Sequence, residues 1–194
     1  MPKRHLVILN PAAARGAAGR RCEEVRRALS AQGLDYELVQ TLRPMHAAEL
    51  AASASGFDVV VAAGGDGTGN EVVNGLMAAR AAGRQVPSLG LLCVGRGNDF
   101  AYGVGVQAGL EEGCAILARG ALRPLDIGRV SGPDIPGGRY FGNGVGVGFD
   151  TIVGDEAAKM KRVQGFLGYV LGALKTLFLY YRAPRVSLAY GQTA

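Results

Sequence analysis

Gly64-Gly65-Asp66-Gly67-Thr68 stands between an apolar run, Phe57–Ala63 (FDVVVAA), and a helical pattern over Glu71–Ala82. No other feature restricts the fold of this chain as much. A glycine pair that leaves a buried strand and enters a helix lets the backbone turn sharply. It aims successive N–H groups at one point, and the helix adds the positive end of its dipole. Such a turn suits an anion, above all a phosphate. Asp66 then puts a carboxylate where a phosphate-bound Mg²⁺ would sit, and the Thr68 hydroxyl can donate to a phosphate oxygen. Simple helix capping by Asp66 or Thr68 is the plainer reading; the paired glycines in strand–helix context outweigh it. The sequence contains no GxxxxGK[ST], so it is not a P-loop NTPase.

The same alternation runs through the first two thirds of the chain. Leu6–Leu9 reads as a buried strand, Arg20–Ala31 as a helix, Tyr36–Val39 as a strand, Met45–Ala54 as a helix and Leu89–Cys93 as another strand. Strands alternating with helical patterns predict βαβ units, hence an α/β fold with a Rossmann-like parallel sheet. Ligands of such sheets bind beyond the C-terminal ends of the strands. After Asp126 the pattern changes. Ser131–Gly138 is a turn-rich break, Tyr140–Phe149 is glycine-rich and extended, and a helix is expected near Asp155–Arg162. This reading divides the chain into a phosphate-binding α/β domain, residues 1–128, and the start of an incomplete β-rich domain, residues 129–194.

Charge narrows the partners. The net charge is +5, from 21 basic and 16 acidic residues, with Arg15, Arg20, Arg21, Arg26 and Arg27 falling early. These could meet phosphates or an anionic membrane surface. Nucleic acid is argued against, because the charge is scattered and no groove-reading or base-stacking motif occurs. Cys22, Cys93 and Cys114 are widely spaced and odd in number, which argues against zinc and a disulfide framework and fits a reducing cytoplasm. His5 and His46 have no partners by spacing and receive no role.

Several ordered motifs extend the signal. Gly64 through Leu76 (GGDGTGNEVVNGL) closely resembles the signature of the diacylglycerol kinase catalytic domain family. Asn10-Pro11 after the first strand, Gly95-Arg96-Gly97-Asn98-Asp99-Phe100-Ala101 after a later one, and Leu125-Asp126-Ile127-Gly128 match in the family's order. Gly146-Val147-Gly148-Phe149-Asp150 resembles the element entering the second domain. The resemblance implies an ATP- and Mg²⁺-dependent lipid kinase acting on an acceptor such as diacylglycerol, peripheral to a membrane, with a homodimer left open. It implies that Asn10, Thr41, Gly65, Asp66, Gly67, Thr68, Gly69, Asn70, Glu71, Arg96 and Asn98 bind ATP. Asp66, Asp99 and Asp126 would order Mg²⁺ and water near the transferred phosphoryl group, with Asp66 and Asp126 as metal ligands. NAD kinases share the shorter GGDG core and form the alternative, as does a catalytically silent nucleotide-binding module.

The sequence departs from that family in places. Ala12-Ala13-Ala14-Arg15-Gly16 replaces the usual Ser-Gly after Asn-Pro, and Arg96 stands where a threonine is usual. Both departures replace a hydroxyl with a nearby arginine able to make charge-assisted bonds to phosphate. The family's acidic general base belongs to a late Asp-Gly-Glu-like motif that this sequence lacks, so the expectation is a C-terminally shortened chain. Asp155 and Glu156 read as the first turn of a helix rather than as substitutes. Asn143–Gly148 lacks the spacing of a dinucleotide loop. Phe166, Tyr169, Val170, Ala173, Leu174, Leu177 and Tyr181 follow helical spacing and predict an apolar face too short for a membrane span, for core packing ahead of a membrane-surface or lipid-contact role.

Overall fold

Apolar runs too short for helices and flanked by turn residues become the four strands of one parallel sheet. In the computed structural model, residues 2–95, 97–106 and 109–146 are described, with Gly148, Ile152, Val153, Val170, Ala173, Leu174, Leu177, Arg185 and Ser187. The order along the chain is β1 (Arg4–Leu9), α1 (Ala17–Arg20), α2 (Cys22–Ala31), β2 (Asp35–Gln40), α3 (His46–Ala52), β3 (Val59–Gly64), α4 (Asp66–Ala81) and β4 (Ser88–Cys93). There follow α5 (Asp99–Gly103), α6 (Leu110–Arg119), β5 (Gly128–Gly132) and β6 (Ile135–Phe141). The sheet order is β2-β1-β3-β4, parallel throughout, and β5-β6 form a separate antiparallel pair.

The period of two along β1 and β3 splits the core into two layers. Val7, Leu9, Val61 and Ala63 face α2 and α6, where Val25, Leu29 and Cys114 complete one cluster. Leu6, Ile8, Val60 and Ala62 face α3 and α4 and meet Ala47, Ala51, Val72 and Leu76. Burial on both faces explains why these strands read as unbroken apolar runs. The expected α/β class is therefore observed, with a small antiparallel sheet following it.

Boundaries differ from the sequence pattern where glycine or a turn hides the element. The expected helix Arg20–Ala31 breaks at Arg21 into α1 and α2. The turn-rich Ser131–Gly138 contains a hairpin whose tip is Pro133-Asp134. The sequence pattern predicts neither α5 nor α6. Two compact units divide the chain, Met1–Asn143 and Gly144–Ala194, and the β5-β6 hairpin lies in the first. In the second, the Ile152 N–H donates to Gly148 O at 3.2 Å, Val153 is buried, and Leu174 and Leu177 are exposed. The helix expected at Asp155–Arg162 lies outside the described residues, as do Phe166, Tyr169, Tyr181, Val147, Phe149 and Asp150. Among the described residues, no helix is long and apolar enough to cross a membrane.

Candidate functional site

The chain leaves β1 toward β2 on one side, while β3 and β4 lie on the other. The crevice beyond the ends of β1 and β3 is thus a topological switch point, the usual ligand site of such sheets. Parallel register brings the residues that follow β1, β2 and β3 to this one end. Asn10 ties them together. Its Nδ2 donates to Thr68 Oγ1 at 3.0 Å, and its Oδ1 accepts from the Ala12 N–H at 3.0 Å and from Thr41 Oγ1 at 3.5 Å. Thr41 and Thr68 are 7% and 3% exposed, so both hydroxyls sit inside the protein. Thr68 therefore braces the turn from within, and Gly67 is its exposed residue.

The helix after the turn starts at Asp66 rather than Glu71. Gly67 and Gly69 in its first turns have poor helix propensity, which masks the start. Asp66 joins two helix N-termini. Its N–H donates to Gly97 O at 3.0 Å, while its Oδ1 accepts the Phe100 N–H at 2.9 Å in the first turn of α5. The N–H groups of Gly67 and Thr68 meet no acceptor among the described residues. First-turn donors of a helix have no intrahelical partner, so these two remain for an anion. The loop after β4 lies directly on this turn. Val94 and Gly95 both donate to Gly64 O, at 3.2 and 2.9 Å. A Cβ on Gly95 would come within 2.5 Å of Gly65 Cα, so the two backbones meet only as glycines.

The acidic residues are unevenly placed. Asp66 is half-buried, whereas Asp99 and Asp126 are exposed. Among the described residues, no group of three or more His, Cys, Asp or Glu side chains could hold a metal ion. A metal cage built from protein alone is therefore absent among them. Mg²⁺ bound with phosphate keeps waters and takes one or two carboxylates, and Asp66 suits that role because one N–H occupies only part of its acceptor capacity. The Cys93 thiol at the end of β4 is pushed up, first by burial and then by the Asp66 carboxylate. Asn98 precedes α5 without a side-chain cap, and its Nδ2 reaches Gly95 O at 3.5 Å. Arg96 lies outside the described residues.

Two residues of the signature turn toward other elements. Glu71 Oε2 accepts the Ala47 N–H at 3.2 Å and so caps α3. Asn70 Nδ2 donates to Tyr140 O at 2.9 Å, and Asn70 Oδ1 accepts from Arg139 Nε at 2.9 Å. Asn74, which received no role from the sequence, grips both backbone groups of Tyr140 at 2.9 Å. The signal was available: residues four apart on a helix share a face, so Asn70 and Asn74 form one amide pair. The loop after Asn10 also holds a feature without a sequence mark. Ala14 and Arg15 adopt left-handed φ values of 52° and 58°, ahead of Gly16 at 85°. Each non-glycine residue there costs about 1–2 kcal/mol, offset by bonds from the Gly16 and Ala18 N–H groups to Ala12 O and Ala13 O.

The chain is similar to known proteins across most of its length. Residues 4–130 match the family described as "Diacylglycerol kinase catalytic domain". A diacylglycerol kinase of Bacillus subtilis (strain 168) is 35% identical over 90% of this chain and 56% of the relative. A diacylglycerol kinase of Staphylococcus saprophyticus is 31% identical over 91% of this chain and 56% of the relative. The chain thus spans 56% of the length of these two curated relatives. Among solved structures, a diacylglycerol kinase from Bacillus anthracis str. Sterne aligns with a TM-score of 0.55 and 27% identity, over 64% of this chain and 45% of that one.

Proposed function

Because the chain belongs to the diacylglycerol kinase catalytic domain family, we propose that it binds ATP and Mg²⁺ and serves phosphoryl transfer to the hydroxyl of a lipid such as diacylglycerol. One observation carries the reading. The Thr41–Asn10–Thr68 chain of hydrogen bonds locks the start of α4 at the switch point, with the N–H groups of Gly67 and Thr68 left for phosphate. Phosphoryl transfer needs little covalent chemistry from the protein and depends on positioning and charge stabilisation. Gly67 and Thr68 would hold phosphate oxygens, and Asn10 would keep Thr68 from shifting. Asp66 would hold the metal, anchored against movement by the Phe100 N–H. Mg²⁺, when bound, would neutralise charge on the transferred group. Asp99 and Asp126, exposed at the same domain's surface, remain candidates for ordering water or metal. An NAD kinase reading rests on the GGDG core alone.

Isothermal titration of Mg·ATP into the protein and its Asp66→Asn variant tests this reading. The asparagine oxygen can still accept the Phe100 N–H, so the variant should keep its melting midpoint. Loss of the charge should weaken Mg·ATP roughly ten- to hundredfold, the effect of a charged hydrogen bond worth about 1.5–3 kcal/mol. Adenosine affinity should not change. A folded Asp66→Asn variant with unaltered Mg·ATP affinity removes Asp66 from the metal site. For the acceptor, transfer of labelled phosphate to diacylglycerol in mixed micelles is compared with transfer to NAD. Label on NAD alone overturns the lipid assignment.

A further inference from the structure

β4 ends the sheet order β2-β1-β3-β4, so among the described residues one of its sides has no neighbouring strand. Ser88 and Val94 donate their N–H groups to Asp58 O and Gly64 O on the β3 side. Backbone groups of successive residues alternate in direction along a strand, so the N–H and C=O of Leu89 and Leu91 face the open side. Among the described residues, no loop or helix backbone pairs with them. Natural edges are usually blunted by charge, proline or a bulge. Here Leu89-Gly90-Leu91 carries no charge, and the β3-β4 register runs without a break.

This edge lines a groove of about 700 Å³, together with Leu76 and Met77 of α4 and Ile116 and Leu117 of α6. The two helices cover opposite faces of the sheet, so the edge lies recessed between them. Lys3, Arg80 and Arg123 also line the groove, and no Asp or Glu does. His5 is also among the lining residues. It is 3% exposed, its Nδ1 meets Asp35 O at 3.1 Å, and its buried Nε2 has no hydrogen-bond partner among the described residues.

We propose that this groove receives one extended peptide strand, apolar at alternate positions and bearing carboxylates, which adds to β4 as a fifth strand of the sheet. Strand addition supplies the main-chain bonds that Leu89 and Leu91 lack, and alternate side chains enter the apolar walls under α4 and α6. Carboxylates on the strand answer the three cations. An acyl chain would fill the apolar walls but would displace water from the Leu89 and Leu91 backbone groups without replacing its bonds. A second copy presents the same recessed edge, and two recessed edges do not meet. The proposal is independent of the kinase reading, since the groove runs along the sheet edge and the Gly64–Thr68 turn does not line it.

The probe is a fluorescent synthetic peptide, acetyl-Val-Thr-Val-Thr-Val-Glu-Glu, titrated against the protein by anisotropy, with amide hydrogen exchange read in parallel. Binding should slow exchange at Leu89 and Leu91. The same peptide methylated on alternate backbone nitrogens should fail to bind. Arg80→Glu with Arg123→Glu should weaken the peptide on the order of tenfold and leave Mg·ATP affinity unchanged. Leu91→Pro removes an outward N–H while sparing the β3 ladder and should abolish peptide binding in a folded protein. Three results overturn the proposal: no binding at millimolar peptide, equal binding of the methylated peptide, or occupation of the groove by oleate with Leu89 and Leu91 exchange unchanged. Protection of these amides that depends on protein concentration without peptide, with a dimer in light scattering, would also overturn it in favour of a second copy.

Discussion

β3 and β6 are strands of similar length held in place by opposite means. Every residue of β3 is buried, between apolar layers on both faces of the sheet. β6 is exposed along its first half and nowhere fully buried. A two-stranded ribbon is marginal alone in water, so β5-β6 needs an anchor, and that anchor is polar. Asn70 and Asn74 of α4 make three bonds to the Tyr140 backbone, and Arg139 returns a fourth to Asn70. The sheet is thus positioned by non-directional burial that tolerates many sequences. The hairpin is positioned by two particular amides on the helix that also carries the Gly64–Thr68 turn. A change at the turn can reach the hairpin through one rigid helix.

The widest difference between the two regions should appear on cutting into the sheet. Ile8 is fully buried in the layer under α3 and α4, and Ile8→Ala should cost about 3 kcal/mol or more in urea unfolding. A loss under about 1 kcal/mol would mean that the layer collapses to fill the gap. Gly95→Ala comes next. Its Cβ would press on Gly65, and overpacking of this kind costs about 2 kcal/mol. Mg·ATP affinity should fall further than stability implies, since the turn itself must shift. Undiminished affinity would separate the β4 loop from the site.

Asn74→Ala should have a smaller and local effect. Losing bonds to both Tyr140 backbone groups should cost about 1–2 kcal/mol, seen as faster amide exchange across Ile135–Phe141 with the sheet amides unchanged. A uniform rise in exchange would show that hairpin and sheet open as one unit. Least of all should follow from the exposed Arg43–Glu49 pair, 2.6 Å apart. The Arg43 hydrogen bond holds the Glu49 carboxyl below its ordinary range. A depressed carboxylate contributes stability above its unfolded-state pKa and loses it as pH falls through the folded value. Glu49→Gln should therefore leave the melting midpoint nearly unchanged at neutral pH, because exposed pairs are screened. The two proteins should converge fully once acid protonates Glu49. A gap that widens in acid would contradict the sign.

Legibility differs between elements for physical reasons. β1, β3 and β4 are readable because burial on two faces demands continuous apolar runs, a property of neighbouring residues. The placement of Gly64–Thr68 between β3 and α4 is equally local, which is why residue order alone marks the candidate site. α5 escapes because a helix of five residues, Asp99–Gly103, has too few turns to display a period. α6 escapes although Leu110, Gly113 and Cys114 form a buried helical stripe, because two of those three residues are small and weakly apolar.

Within the site, strand–turn–helix chemistry is enough to name Asp66 and Thr68, while Asn10 and Thr41 enter only through the resemblance to the diacylglycerol kinase family. Which way each side chain turns is decided by contacts between segments far apart. Thr68 faces inward because Asn10, 58 residues away, donates to it. Asp66 caps α5 because the loop after β4 folds over the turn. Among the described residues, His5 is left with an unpartnered ring nitrogen, and Leu89 and Leu91 with an open edge, because strand order put β1 inside the sheet and β4 at its margin. Periodicity and turn chemistry act over a few residues and survive in the one-dimensional pattern. Hydrogen-bond partners and sheet edges depend on which strands become neighbours, and that information exists only once the chain has folded.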